Sequence, residues 1–125
     1  MLFDTDVIIW ALRGNLKAAS EINRCSELYL SAISYMELLK GARDKRELQE
    51  IKRFLLDMGF KILPVNEGVS HRAMIYVEEY VLRSGIDIAD ALIAATASES
   101  SLTVCTANNK HYAKLPGLQI TVFRP

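Results

Sequence analysis

The sequence predicts an α/β fold, with a parallel sheet of about five strands flanked by helices. Two observations carry this. Short apolar runs of strand length alternate along the chain with stretches whose apolar residues recur at helical spacing, the pattern that builds strand–helix–strand units. In addition, four acidic residues, Asp4, Asp6, Glu37 and Asp90, each follow or open an apolar element. In a parallel sheet the carboxyl ends of the strands converge on one edge, and ligands bind in the crevice there.

Taken in order, Met1-Leu2-Phe3 reads as a short strand that delivers Asp4 at its carboxyl end. Val7 to Leu12 is apolar and turns into a short helix that stops at Arg13-Gly14-Asn15, with a second helix over 16–25. Leu28 to Ser31 is the next strand. Ser34 and Glu37 have the spacing of a capping box, which places Ser34 at the N-cap of a helix that ends near Gly41. Leu48, Ile51 and Leu55, at offsets of three and four, mark the apolar face of a further helix. Phe60 to Leu63 is a strand closed by Pro64. Met74, Val77 and Val81 mark the apolar face of the helix that Ser84-Gly85 closes. Ile88 to Ala97 carries five alanines beside Leu92 and Ile93, and such small side chains let a helix lie close on a sheet. Leu102 to Cys105 and Gln119 to Phe123 supply the last strands.

A length of 125 residues suits a single domain spanning 1–125 with a real core. With 50% hydrophobic and 24% charged residues the chain belongs with globular proteins rather than disordered ones. Lysine plus arginine equals aspartate plus glutamate, 15 each, which excludes a general basic attraction to nucleic acid. The local run from Lys40 to Arg53 is interleaved with Asp44, Glu47 and Glu50 and reads as a solvated helix face. Cys25 and Cys105 lack metal-type spacing, and nothing indicates a disulfide scaffold. The N-terminus has no basic region of the signal-peptide kind, and no apolar run reaches the roughly 18 residues of a membrane span, so a cytoplasmic location is expected.

Carboxylates that meet at one point repel each other unless a cation holds them, and an oxygen-only set suits Mg²⁺ or Mn²⁺. Asp4 and Asp6 share a side only if the chain is still extended there. Glu37 and Asp90 each stand three residues after a potential N-cap, Ser34 and Asp87, so both also read as acids that complement a helix dipole. Capping leaves Asp4 unexplained, because a carboxylate in an apolar strand context demands a partner and no lysine is near it in sequence.

The segments Leu2 to Ile9, Ser34 to Leu38 with Gly41 behind, Asp90 to Ala97, and Val104 to Tyr112, in that order, resemble the PIN domain family, and more narrowly the VapC ribonuclease toxins of VapBC toxin–antitoxin pairs. The resemblance covers essentially the whole chain. It implies a compact three-layer α/β/α domain that cuts RNA with one or two Mg²⁺ or Mn²⁺ ions held by Asp4, Glu37 and Asp90. The family's fourth acidic position falls at Asn108, which is neutral here. Asp6, where the family more often has Asn, either restores some of that charge or hydrogen-bonds the loop. Thr5, Ser34 and Thr106 are implied as polar neighbours of the metal-binding acids. Arg13 and His111 are candidate RNA contacts, and Tyr112 reads either as a rim residue or as a ring tucked on the core. The resemblance further implies a homodimer and a cognate VapB-type antitoxin whose tail docks against the helices at 34–58.

Two other readings compete. Asp-x-Asp after a first strand also opens haloacid-dehalogenase-type phosphatases, with Asp4 as nucleophile and Asp6 as general acid. Against it stand Ile8, where that motif prefers Thr or Val, and a chain with no room for a cap. The non-enzymatic reading is a PIN-like module that binds RNA or a partner without cutting, which the neutral Asn108 keeps open.

Overall fold

The computed structural model describes all of residues 1–125. The chain runs β1 (Leu2–Phe3), α1 (Thr5–Leu12), α2 (Leu16–Arg24), β2 (Tyr29–Ser31), α3 (Ala32–Lys40), α4 (Lys45–Met58), β3 (Lys61–Leu63), α5 (Glu67–Ser84), α6 (Ile88–Glu99), β4 (Val104–Thr106), a short 3₁₀ turn (Asn109–His111) and β5 (Ile120–Val122). The five strands form one sheet in the order β3-β2-β1-β4-β5, and every pair is parallel. The chain therefore builds outwards from β1 to β3 on one side, crosses back, and adds β4 and β5 on the other. The reversal lies between β1 and β4, and it opens a crevice at their carboxyl ends.

Strand alternation distributes the core into two layers. Leu2, Tyr29 and Val104 point to one face, where Val69, Ala73 and Tyr76 of α5 and the alanine-rich side of α6 pack. Phe3, Leu30 and Cys105 point to the other, against Val7 and Ile8 of α1, Ala18 and Ile22 of α2, and Ile51 and Leu55 of α4. Helix α3 serves both layers, with Ile33 on one and Leu38 on the other. The result is a three-layer α/β/α arrangement in which each fully buried large apolar side chain contributes about 1.5–3 kcal/mol. No helix is long and apolar enough to cross a membrane.

Two local expectations are corrected. The N-cap of α3 is Ser31, not Ser34: the Ser31 hydroxyl accepts from the backbone N–H groups of Ile33 and Ser34 at 3.0 and 3.2 Å. A serine precedes this helix by either reading, but β2 ends at Ser31 and the chain turns at once. In α5 the buried face is Val69, Ala73 and Tyr76 with Val77 packed beside it, whereas Met74 and Val81 are 58% and 40% exposed. That helix begins at the Asn66 cap, well before the first apolar residue used to set its phase. It does close at Gly85, whose φ of 60° is left-handed.

Ser31→Ala is expected to lower unfolding free energy by about 1–2 kcal/mol, since the cap is buried and satisfies two N–H groups; chemical denaturation checks this.

Candidate active site

Asp4 ends β1 and caps α1, with Oδ1 accepting from the backbone N–H of Thr5 at 2.8 Å. Its other oxygen, Oδ2, accepts from the hydroxyls of Thr106 at 2.8 Å and Tyr112 at 3.1 Å. The residue is only 7% exposed. The ion pairs of the molecule formed by lysine or arginine are Arg24–Glu21, Arg43–Glu47, Arg46–Glu50 and Arg72–Glu99, so Asp4 has hydroxyl and amide partners but no cationic one. Thr106 ends β4, across the crevice from Asp4, and its Oγ1 also accepts from the backbone N–H of Asn108 at 2.9 Å.

Asp90 comes from the first turn of α6. Its Oδ1 accepts from the same Tyr112 hydroxyl at 3.3 Å, and its Oδ2 lies 2.7 Å from Nδ1 of His111. One phenol thus lies between two carboxylates that start 86 positions apart in sequence, 90 minus 4. Burial, then the charges of Asp4 and Asp90, push the Tyr112 phenol far above its ordinary value, so it remains a proton donor. Burial, then Asp4, also raises the Asp90 carboxyl, and His111 partly offsets this. Asp87 occupies the N-cap of α6 without a side-chain cap bond, and Asp90 reaches outwards to Tyr112 and His111 rather than back to its own helix.

Glu37 is the sixth residue of α3, beyond the first turn, so the capping explanation for it falls with the corrected helix start. Its Oε1 accepts from the Thr5 hydroxyl at 2.6 Å, and Thr5 Oγ1 in turn lies 2.9 Å from the buried Ser34 hydroxyl. Asp6 turns to the loop after β4, where both its oxygens accept from the backbone N–H of Ala107, at 3.2 and 3.4 Å. Burial and then the charge of Asp4 push its carboxyl up to about 6. The Asn108 amide lies 3.4 Å from Nε2 of His111 rather than beside a carboxylate. Arg13 is exposed at the end of α1 without an ion-pair partner, on the wall of a groove of about 650 Å³ that Glu37, Ile9, Leu12 and Ile51 also line.

The donor set is all oxygen, with carboxylates gathered at the strand ends and no lysine or arginine to neutralise them, which fits a hard divalent cation. Three acidic or imidazole side chains do not converge on one point. Asp4, Glu37 and Asp90 alone would not complete the shell of such an ion, and water would have to supply the rest.

Against this geometry, a family model described as the PIN domain matches residues 1–118. The chain belongs to the PIN domain family. Ribonuclease VapC10 of Mycobacterium tuberculosis is 33% identical over 116 residues, covering 90% of this chain and 85% of the relative. Ribonuclease VapC1 of Rickettsia felis is 32% identical over 127 residues, covering 96% and 93%. Among solved structures, the toxin–antitoxin complex from Klebsiella pneumoniae aligns with a TM-score of 0.80 and 28% identity, over 97% of this chain and 95% of that one. The phosphatase reading gives way to this PIN domain assignment.

Because the folded value of Asp6 is raised above its ordinary 3.8, its contribution to stability is full below about pH 4 and is lost as pH rises through about 6. Asp6→Asn keeps an acceptor for Ala107 and removes the titration. Its melting temperature relative to wild type, in EDTA, is expected to rise between about pH 4 and about pH 7.

Proposed function

We propose that this chain, a single domain over 1–125, is a cytoplasmic endoribonuclease that hydrolyses RNA phosphodiester bonds with Mg²⁺ or Mn²⁺, and that it is the toxin of a toxin–antitoxin pair. The observation that carries the chemistry is a buried carboxylate, Asp4, facing Asp90 across one shared phenol at the sheet's reversal point, with no lysine or arginine paired to either. Its relatives VapC10 and VapC1 bear the name ribonuclease, which supplies the substrate class. Both cysteines are free, in keeping with a reducing compartment.

Asp4, Glu37 and Asp90 are the residues that would hold the ion. When bound, a divalent cation supplies a water of lowered pKa and neutralises charge developing on the phosphate. The chain's own contributions are definable. Thr106 and the Thr5 amide fix the Asp4 carboxylate, Thr5 with Ser34 fixes Glu37, and Asp6 pins the loop that carries Asn108. Arg13 lines the same groove as Glu37 and could meet a backbone phosphate there.

The same groove suits an antitoxin tail. Its walls combine apolar Ile9, Leu12, Leu38 and Ile51 with acidic Glu37, Glu47 and Glu50, which favours an amphipathic segment bearing basic residues. The related Klebsiella chain is part of a toxin–antitoxin complex, which supports such a partner. For a homodimer the fold offers the uncovered apolar side of α5 and α6 around Met74 and Ile88.

Purified protein mixed with total RNA should yield discrete fragments with Mg²⁺ or Mn²⁺ and none with EDTA. Asp4→Ala and Asp90→Asn should each cut the rate by about 10²-fold or more, since a metal ion contributes several kcal/mol to the transition state. RNA bound but left intact with either metal would establish the non-cutting module instead. Arg13→Ala should weaken RNA binding across sequences and reduce the slope of log K against log salt by about 0.7.

A further inference from the structure

Asp4 and Asp90 are held in different ways. Asp4 is fixed by elements of the central sheet: the Thr5 amide that follows its own strand and the Thr106 hydroxyl that ends the neighbouring one. Asp90 receives no hydrogen bond from its own helix, and its N-cap neighbour Asp87 makes none to the backbone either. Its two oxygens are taken by two consecutive residues of the turn after β4, Oδ2 by His111 at 2.7 Å and Oδ1 by Tyr112 at 3.3 Å.

We propose that His111 and Tyr112 are positioning residues that together clamp the Asp90 carboxylate towards Asp4 and thereby set the affinity of the site for its cation. The inference rests on the reading of Asp4, Glu37 and Asp90 as cation-holding residues.

The hydrogen-bond directions support a clamp. A carboxylate accepts, so Nδ1 of His111 carries the proton that Asp90 takes. The Asn108 side-chain amide lies 3.4 Å from the other ring nitrogen, Nε2. Asn108 thus has a place at the site through His111, although it brings no charge. On the other side, the Tyr112 ring is fully buried and its hydroxyl shares its single proton between Asp4 Oδ2 at 3.1 Å and Asp90 Oδ1 at 3.3 Å, which ties the two carboxylates together. Without these donors two neighbouring carboxylates repel, and Asp90, at the outer end of the pair, is the one free to swing into water. Each carboxylate oxygen has two lone pairs, so one hydrogen bond to each Asp90 oxygen orients the group and still leaves it able to ligate. A ligand already aimed loses less on binding, and loss of such outer partners typically costs 10–100-fold in metal affinity.

Mn²⁺ binding, followed by electron paramagnetic resonance in the absence of RNA, separates the possibilities. The series is wild type, Asp4→Asn, Tyr112→Phe, His111→Ala and His111→Asn, with melting curves to check folding. Tyr112→Phe preserves the ring, and His111 is exposed enough for truncation to leave the core alone. Tyr112→Phe and His111→Ala are each expected to weaken Mn²⁺ binding about tenfold or more. His111→Asn, whose amide places an N–H near the position of Nδ1–H, should recover most of the loss. Affinities equal to wild type in both Tyr112→Phe and His111→Ala would overturn the clamp and leave the cation reading standing, provided Asp4→Asn loses the ion. Equal weakening in His111→Ala and His111→Asn would overturn the hydrogen-bond role of His111. Absence of Mn²⁺ binding by wild type, or full binding by Asp4→Asn, would overturn both readings.

Discussion

A carboxylate is buried at the end of the central strand of a parallel sheet, and no lysine or arginine is there to neutralise it. That constraint organises the molecule around it. Burial of an ionised group is costly unless hydrogen bonds or a counter-charge offset it, and the chain answers with hydroxyls and amides. Thr5 stands at the start of α1, Thr106 at the end of β4, and Tyr112 in the following turn. Each of these donors must arrive at one spot from a different element. The β1–β4 register, Leu2 opposite Val104 and Phe3 opposite Cys105, is what brings them there. A slip of one residue in either strand would turn Leu2 and Phe3 to the wrong layers and point the donors away from Asp4.

The surroundings are consistent with a charge that is stored rather than cancelled. Asp6 and Asp90 both have raised carboxyls, burial being the first cause and Asp4 the second. The arginines that follow Glu37 in sequence, Arg43 and Arg46, are spent on Glu47 and Glu50 one helical turn away. The overall balance of 15 against 15 charged residues therefore hides a local excess of negative potential at the strand ends. Under the proposed function, a divalent cation would be the partner that offsets this charge when a polyanion approaches.

Much of the fold was legible because its signals are local. Strand-length apolar runs, a glycine after α5 and a run of alanines in α6 each report on a few adjacent residues, and their order along the chain implies the layers. Misreadings arose where a local rule met a longer-range one. Ser34 and Glu37 satisfy the spacing of a capping box, yet Ser31 caps the helix because β2 runs directly into it. The phase of α5 was set on Met74, Val77 and Val81, of which Val77 packs on the core while Met74 and Val81 stay exposed. Asp4 stood out through an argument of unmet need, a charge in an apolar context. His111 and Tyr112 as partners of Asp90 did not stand out, since no spacing rule links a turn after the fourth strand with the first turn of the sixth helix. Only the crossing of the chain over β1 brings them together.

The order of the strands also has a consequence for when the centre comes into being. β1 precedes the other strands and sits in the middle, but its neighbour β4 is made only after β2 and β3. Asp4 waits for Thr106 and Tyr112, 102 and 108 positions downstream. On a ribosome, where folding follows emergence of the chain, α1 to α4 and the first three strands have most of their own layer to pack against well before that. The carboxylate cluster cannot close until Thr106 and Tyr112 have both emerged. A chain broken off before them would hold Asp4 and Asp90 without the phenol that lies between them.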